Sequence, residues 1–425
     1  MLINYQKIRT FFLYLSAISF LIPFACFGLG RALTTIPFGI AIICALIGGD
    51  IKGAIYYLKS NKLMIPMLLL PIMMYIGILY TPNALQEGGL RIATKYNWLL
   101  FPLLLTPMLI TLYNKRNWQL SAYNSFIFGA LIVSLIGIIS TMNVHFFQWI
   151  SNFSTYQGYD PTSPLQSHTE TGFISALGAF FCATLIIYHR PFGLKIVYAV
   201  LFFLISYYVV FLNSSKTGIL LYAVLAIIFV MQYFVKNYKQ ALLAFCLLIV
   251  IAIAIAFLSH SAHQRIEKLI HSVTQVESNA DDTSFGQRTI MLRLALEQFK
   301  KHPIIGSGTG TPIQGSYQDL NNPNLTTSDP HSEFLFIITK IGLVGLCLFI
   351  LYLAFMIYDS LFKIRKGIEA KLALGVSISF VFYALIESIL YHNPASYEVA
   401  FFVSLFFLSN LKQPQLVNHS THTVS

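Results

Sequence analysis

The chain has 425 residues, of which 56% are hydrophobic and only 10% charged, with a mean hydropathy of +0.69. Soluble chains carry roughly 25% charged residues, so a water-soluble globular protein is excluded. The formal net charge of +11 raises nucleic acid as a partner, but the positions of the basic residues argue against it, as the chain order shows.

Apolar runs long enough to cross a bilayer follow one another almost without pause. The first five have cores at Phe11–Gly28, Thr34–Ile47, Leu63–Leu79, Trp98–Leu112 and Asn124–Thr141. Gly172–Tyr188, Ile196–Leu212, Thr217–Phe234 and Ala241–Leu258 follow, and Ser332–Tyr358, Leu372–Leu390 and Ser396–Phe407 complete about twelve. The second and the last are short enough to be tilted or re-entrant. The first apolar run continues into a second with no cleavage-site pattern, so it reads as a signal anchor. The expectation is an all-α polytopic membrane protein: one transmembrane domain over 1–411, including a large loop over 259–331, and a disordered cytoplasmic tail over 412–425.

Most Lys and Arg residues cluster in alternate connections, such as Lys7 and Arg9, Lys52, Lys59 and Lys62, or Lys363, Arg365, Lys366 and Lys371. The positive-inside rule makes that side the cytoplasm. Both termini are then inside, the 259–331 loop faces out, and the basicity is topological. The five cysteines all fall in predicted spans, and no C-x-x-C or His/Cys metal spacing is present.

The long loop has structure of its own. Ser284-Phe285-Gly286-Gln287 reads as a capping box, and Phe285, Leu292, Leu296 and Phe299 recur at helical spacing as an apolar stripe. That helix is predicted to end near Lys300-Lys301-His302-Pro303, where cations suit the helix end and proline stops it. Gly306-Ser307-Gly308-Thr309-Gly310 then reads as a flexible turn.

Three polar constellations stand out. Arg288 lies one turn before Leu292, so a cation shares the buried stripe and needs an anionic partner or a wet cleft; an arginine snorkelling at lipid headgroups, or a structural ion pair, fits the same spacing. His331 follows Pro330, and with Asp329 as N-cap it is placed in the first turn of the tenth span. A helix start disfavours imidazolium, so a neutral imidazole able to act as a general base is expected; an interfacial histidine satisfied by loop carbonyls is the plainer alternative. At about 100° per residue, Gly342 and Gly345 project onto the His331 face, which makes that the packed face, with Glu333 and Lys340 opposite. Finally, Asn213-Ser214-Ser215-Lys216-Thr217-Gly218 starts a helix with hydroxyls and a cation suited to phosphate, or is an ordinary serine-capped turn. Neither this run nor Gly306–Gly310 is a P-loop. Glu387 is an intramembrane carboxylate of the eleventh span whose partner the sequence does not name.

Together these residues resemble the bacterial O-antigen ligase and polymerase superfamily of membrane glycosyltransferases. The ligase-branch pattern H-[NSQ]-x9-G-x-x-G is matched by His331, Ser332, nine residues, Gly342, two residues and Gly345. Gly286-Gln287-Arg288, Leu296-Glu297-Gln298-Phe299 and His302-Pro303-Ile304-Ile305-Gly306-Ser307-Gly308 are similar to the family's signature. Where the family usually has arginine in a Ser-Arg-[Ser/Thr]-Gly turn, this chain has Lys216, which keeps the charge and loses the bidentate fork.

The resemblance implies a GT-C-like fold and an inverting, metal-independent transfer with no cofactor, in the bacterial inner membrane. The glycan would pass from undecaprenyl diphosphate to a sugar hydroxyl of lipid A–core at the periplasmic face, in lipopolysaccharide biosynthesis. It further implies that Arg288 and Lys216 hold the donor pyrophosphate, with Arg288 and His331 as the catalytic pair. A polymerase or a protein O-oligosaccharyltransferase of the same superfamily shares this pattern. A transporter or lipid flippase would instead call for paired broken helices and charges at mid-membrane depth.

Overall fold

Within a bilayer every backbone N–H and C=O must be satisfied inside the protein, and this chain meets that demand with helices. The computed structural model describes residues 2–27, 29, 31–112, 116–152, 160–188, 191–234, 284–315, 325–327, 329–363 and 367–408. The predicted span Ala241–Leu258, the loop over 259–283 and the tail over 412–425 lie outside the described residues. Eight helices among the described residues are long and apolar enough to cross a membrane: those within Tyr5–Cys26, Asn83–Leu112, Trp118–Met142, His168–Tyr188, Phe192–Leu212, Lys216–Tyr233, Glu333–Phe362 and Ile368–Ile386. The chain is thus a polytopic all-α membrane protein.

The two spans expected to be unusual are so. Ala32–Gly48 meets Ile51–Ser60 at 106°, and Asp50 caps the second piece by accepting from the Gly53 N–H at 3.0 Å. Met64–Leu79 and Ser396–Leu408 are the shorter apolar helices. Without a hydrophobic drive between helices in lipid, packing itself must hold the bundle. Phe401 does much of this, with its ring 5.1 Å from Phe20, 4.8 Å from Phe24 and 4.5 Å from Phe38; such aromatic pairs contribute about 0.5–1.5 kcal/mol each.

The loop helix runs Ser284–Lys301, ending where the lysines and Pro303 predict. Its buried face differs from the expected stripe. Ile290, Leu294 and Ala295 are buried and pack with Ile313, whereas Leu292 and Leu296 are exposed. The sequence stripe counted only large apolar residues and missed that Ala295 faces inward. Ile313 sits on a two-stranded antiparallel ribbon, Ile313–Gly315 with Leu325–Thr327. Leu335 of the Glu333–Tyr358 helix packs against the same cluster, so the loop helix is docked on the membrane helix.

Helical-wheel reasoning fails along Glu333–Tyr358, because this helix is broken at Ile341 and Gly342 (φ +63°). A break frees backbone groups on both sides, and the segment after the loop helix takes them up. Leu343 N–H donates to the Pro303 carbonyl at 2.9 Å and Val344 N–H to Ile304 at 3.2 Å. In return Ser307 N–H donates to Thr339 at 2.9 Å and Gly308 N–H to Lys340 at 3.1 Å. The glycine-rich run is therefore a docked segment, contrary to the flexible turn expected. Thr309 anchors its far side, its hydroxyl donating to the Met74 carbonyl at 2.7 Å. Gly306 and Gly342 lie against each other's backbone: a Cβ on Gly342 would stand 2.3 Å from the Ile304 oxygen, and one on Gly306 would stand 2.4 Å from the Lys340 carbonyl carbon.

Candidate functional site

Four chain segments converge beside the start of the Glu333 helix: the loop helix with Arg288, the 329–333 segment, the 387–392 turn and the Gln86–Tyr96 helix. The helix begins at Glu333, with Ser332 in the cap position. Asp329 and His331 therefore precede it, which corrects the sequence placement of His331 in the first turn and of Asp329 as N-cap. His331 instead has φ 52° and is the one non-glycine with positive φ among the described residues. That conformation costs a few kcal/mol unless held from outside. Here Asp329 holds it, Oδ1 accepting the His331 backbone N–H at 2.9 Å.

Glu387 is the hub. The Ile368–Ile386 helix ends just before it, so Glu387 stands in extended backbone (φ −141°, ψ 154°) rather than inside a span. Its Oε1 lies 3.4 Å from the Arg288 guanidinium and its Oε2 3.3 Å from His331 Nδ1. The partner that the sequence could not name is thus the Arg288–His331 pair itself. Side-chain exposure is 11% for Glu387, 35% for Arg288 and 45% for His331, so the carboxylate is walled in while the cation and the imidazole reach solvent.

A second carboxylate braces the first. Asp329 Oδ1 accepts the Ser388 hydroxyl at 2.6 Å, and Oδ2 pairs with His392 Nε2 at 2.6 Å. Burial works against the Asp329 anion, yet the hydrogen bond and charge of His392, with Ser388 and His331, hold it down to about 2. Burial likewise opposes the His392 cation, and the contact with Asp329 overcomes it and raises that imidazole. For His331 the hydrogen bond to the Glu387 carboxylate is the main influence and raises its proton affinity against burial, with Asp329 adding and Arg288 subtracting. The expectation of an imidazole kept neutral by a helix start is therefore corrected: its nearest electrostatic neighbour is a carboxylate, and His331 lies outside the helix whose dipole was invoked.

Asp329, Glu387 and His392 offer atoms within 4.8 Å of one another, a spacing compatible with a metal ion. Both oxygens of each carboxylate already face protein donors, and Arg288 brings a positive charge to the same spot. These groups form a hydrogen-bonded network in this structure.

Lys216 opens the Lys216–Phe234 helix. Ser215 caps it, Oγ accepting from the Gly218 N–H at 3.0 Å, and Asp160 steadies the turn by accepting from the Ser214 hydroxyl at 2.5 Å. The serine-capped turn is real, and it leaves Lys216 exposed with no hydrogen-bonded or ion-paired partner among the described residues. Among the described residues Lys216 forms no hydrogen bond or ion pair with Arg288 or His331. Gly342 and Gly345 act at one remove: the first admits the 303–308 segment, while the Cβ position of the second is filled by the Ile341 side chain.

Glu333 and Lys340 are both buried. They do not pair with each other: the Glu333 carboxylate accepts from the Tyr96 hydroxyl, and Lys340 Nζ donates to the Thr311 carbonyl. Asp329, Glu387 and His392 were the site residues sequence reasoning undervalued. Their one signal was that carboxylates and a histidine recur at the borders of otherwise apolar runs.

The fold and this centre define a multi-pass membrane protein that gathers a cation, a carboxylate-held histidine and a second acid–histidine pair at one end of its bundle. Residues 199–350 match the family model described as O-antigen ligase, and that stretch bears Lys216, Arg288, His331, Gly342 and Gly345. Members of that family are membrane glycosyltransferase-like enzymes that work on lipid-linked glycans. Glu387 and His392 fall beyond the matched residues. No curated protein matches the chain.

Proposed function

We propose that the protein is an O-antigen ligase. It moves a glycan from undecaprenyl diphosphate to a sugar hydroxyl of lipid A–core at the periplasmic face of the inner membrane, with both termini cytoplasmic. The observation that carries this reading is Glu387 bridging Arg288 and His331, which joins a cation suited to a diphosphate to a histidine suited to a hydroxyl.

The chemistry follows from the geometry. Glu387 engages Nδ1 of His331, which in the neutral ring favours the proton at Nδ1 and leaves Nε2 as the base for the acceptor. The acceptor hydroxyl gives its proton to Nε2 as its oxygen bonds to the anomeric carbon. The bond from that carbon to the diphosphate oxygen breaks, and undecaprenyl diphosphate leaves with the electron pair. Arg288 and the exposed Lys216 hold the diphosphate and stabilise the charge that grows on it. A lipid diphosphate is a good leaving group, so positioning and charge neutralisation supply most of the barrier reduction, and no metal step is needed.

A polymerase would use the same centre with a carrier-linked glycan as acceptor. Deleting the gene separates the two by where the glycan collects. Glycan polymer retained on undecaprenyl diphosphate beside bare core supports the ligase, core bearing a single repeat indicates the polymerase, and unchanged lipopolysaccharide refutes both.

A further inference from the structure

Glu333 takes no part in the chemistry described above, yet it is fully buried at 0% exposure. Burying a carboxylate is costly unless its oxygens are hydrogen-bonded, and both are. Oε1 accepts from the Tyr96 hydroxyl. Oε2 accepts from the Leu390 backbone N–H at 2.8 Å. Its own backbone N–H donates to the Glu387 carbonyl at 3.2 Å. One residue thus ties the Gln86–Tyr96 helix and the Glu333 helix to the 387–392 turn.

That turn carries Glu387, which faces Arg288 and His331, and also Ser388 and His392, which face Asp329. Its backbone is irregular after the Glu387 N–H, which closes on the Tyr383 carbonyl at 2.8 Å at the end of the Ile368–Ile386 helix. Glu333 grips it at two points, at the Glu387 carbonyl and the Leu390 N–H, and Tyr96 keeps the gripping carboxylate in place. The Phe336 ring, 4.9 Å from Tyr391 and 6.3 Å from Tyr96, packs the same joint.

We propose that Glu333 is a positioning residue of the transfer centre: it holds the 387–392 turn so that the Glu387 carboxylate stands against His331 and Arg288. This role rests on the ligase reading only for its consequence in transfer; the effect on His331 is a property of the folded protein. The groups facing His331 are Arg288 from the loop helix, Asp329 from its own segment and Glu387 from the turn, with His392 behind Asp329. When Glu387 withdraws, His331 loses its chief proton-stabilising neighbour and keeps the opposing Arg288.

The test uses the full-length protein in detergent with Glu333→Gln and, as a milder variant, Tyr96→Phe, which keeps the ring packing and removes one donor to Glu333. Carbethoxylation by diethyl pyrocarbonate requires a neutral imidazole, and mass spectrometry of the peptide containing His331 reads its midpoint pH without any assay of transfer. Both variants are expected to move that midpoint to lower pH. In Glu333→Gln the transfer rate should also fall on the order of tenfold, a part of the 10²–10⁴ that a positioned base contributes, with the donor KM little changed. If Glu333→Gln does not accumulate in the membrane, Tyr96→Phe decides. An unchanged His331 midpoint in the folded variants overturns the proposal. A shifted midpoint in a protein that transfers no glycan to lipid A–core leaves the positioning role standing and removes the ligase reading instead.

Discussion

Gly342→Ala isolates the contribution of one backbone feature, the docking of the 303–308 segment into the helix break. Gly342 has φ +63° and ψ −157°, a region open essentially to glycine alone, and forcing another residue into it costs about 1–3 kcal/mol. The added methyl would stand 2.3 Å from the Ile304 oxygen and 2.5 Å from the Gly306 nitrogen. These are backbone atoms, so the segment must move off, and the N–H groups of Leu343 and Val344 lose their acceptors. Each such bond contributes about 0.5–1.5 kcal/mol, bringing the total to roughly 2–6 kcal/mol, a large fraction of a typical folding free energy.

Gly345→Ala provides the control, because its nearest atoms are Ile341 Cγ1 at 2.2 Å and Cδ1 at 2.3 Å, which belong to a side chain able to change rotamer. Thermal unfolding of both variants in detergent, followed by fluorescence-detected size exclusion, gives the comparison. A cysteine placed at Ile305 and challenged with a thiol reagent reports whether the segment has lifted. Gly342→Ala should melt well below the parent with Ile305→Cys more reactive, and Gly345→Ala should lose less. Equal melting of Gly342→Ala and the parent, with unchanged reactivity at position 305, would refute the docking account.

Three further outcomes follow from the same geometry. Glu387→Gln should reduce transfer by at least tenfold and move the acid limb of its pH profile to lower pH, because the carboxylate that raises His331 is gone; an unmoved limb counts against the Glu387–His331 contact. The paired groups also make stability depend on pH. Asp329, held down to about 2, contributes stability present above its unfolded value of about 3.9 and lost as pH falls toward 2. His331 and His392 are raised, so their contribution is complete below about 6.5 and is lost as pH rises through their folded values. The melting temperature should therefore be highest between about pH 4 and 6.5, and His392→Gln should flatten the alkaline fall; a parent that gains stability above neutral pH would contradict the pairing. Lys216→Arg restores a bidentate fork and should tighten donor binding by equilibrium titration, whereas an unchanged affinity would remove Lys216 from the donor site.

Much of this was legible in the sequence because bilayer length and capping are local rules. Ser284–Lys301 ends where Lys300, Lys301 and Pro303 said it would, and residue type and position singled out Arg288 and His331, while their roles came from the family resemblance. The helical wheel that set Gly342 and Gly345 beneath His331 assumed an unbroken helix, and the break at Gly342 voids it. That break could not be read locally, since it is stabilised by carbonyls of Pro303 and Ile304, some forty residues away in the chain. Glu387 shows the same limit. Its partners lie 99 and 56 residues away, and no periodicity rule connects a helix end to a loop helix. The inward face of that loop helix was misjudged because Ala295, a small residue with no weight in an apolar stripe, is what lets it approach Ile313.

Transfer by the purified, reconstituted protein reads the roles of His331 and Arg288 without interference from other enzymes. Vesicles carrying undecaprenyl-diphosphate-linked glycan and lipid A–core are incubated with the parent, His331→Ala or Arg288→Ala, while donor binding is measured separately. The expected result is glycan on lipid A–core with the parent only, donor binding retained in His331→Ala and weakened in Arg288→Ala. Transfer at the parent's rate by His331→Ala, or loss of donor binding in that variant with Arg288→Ala unaffected, would contradict the account.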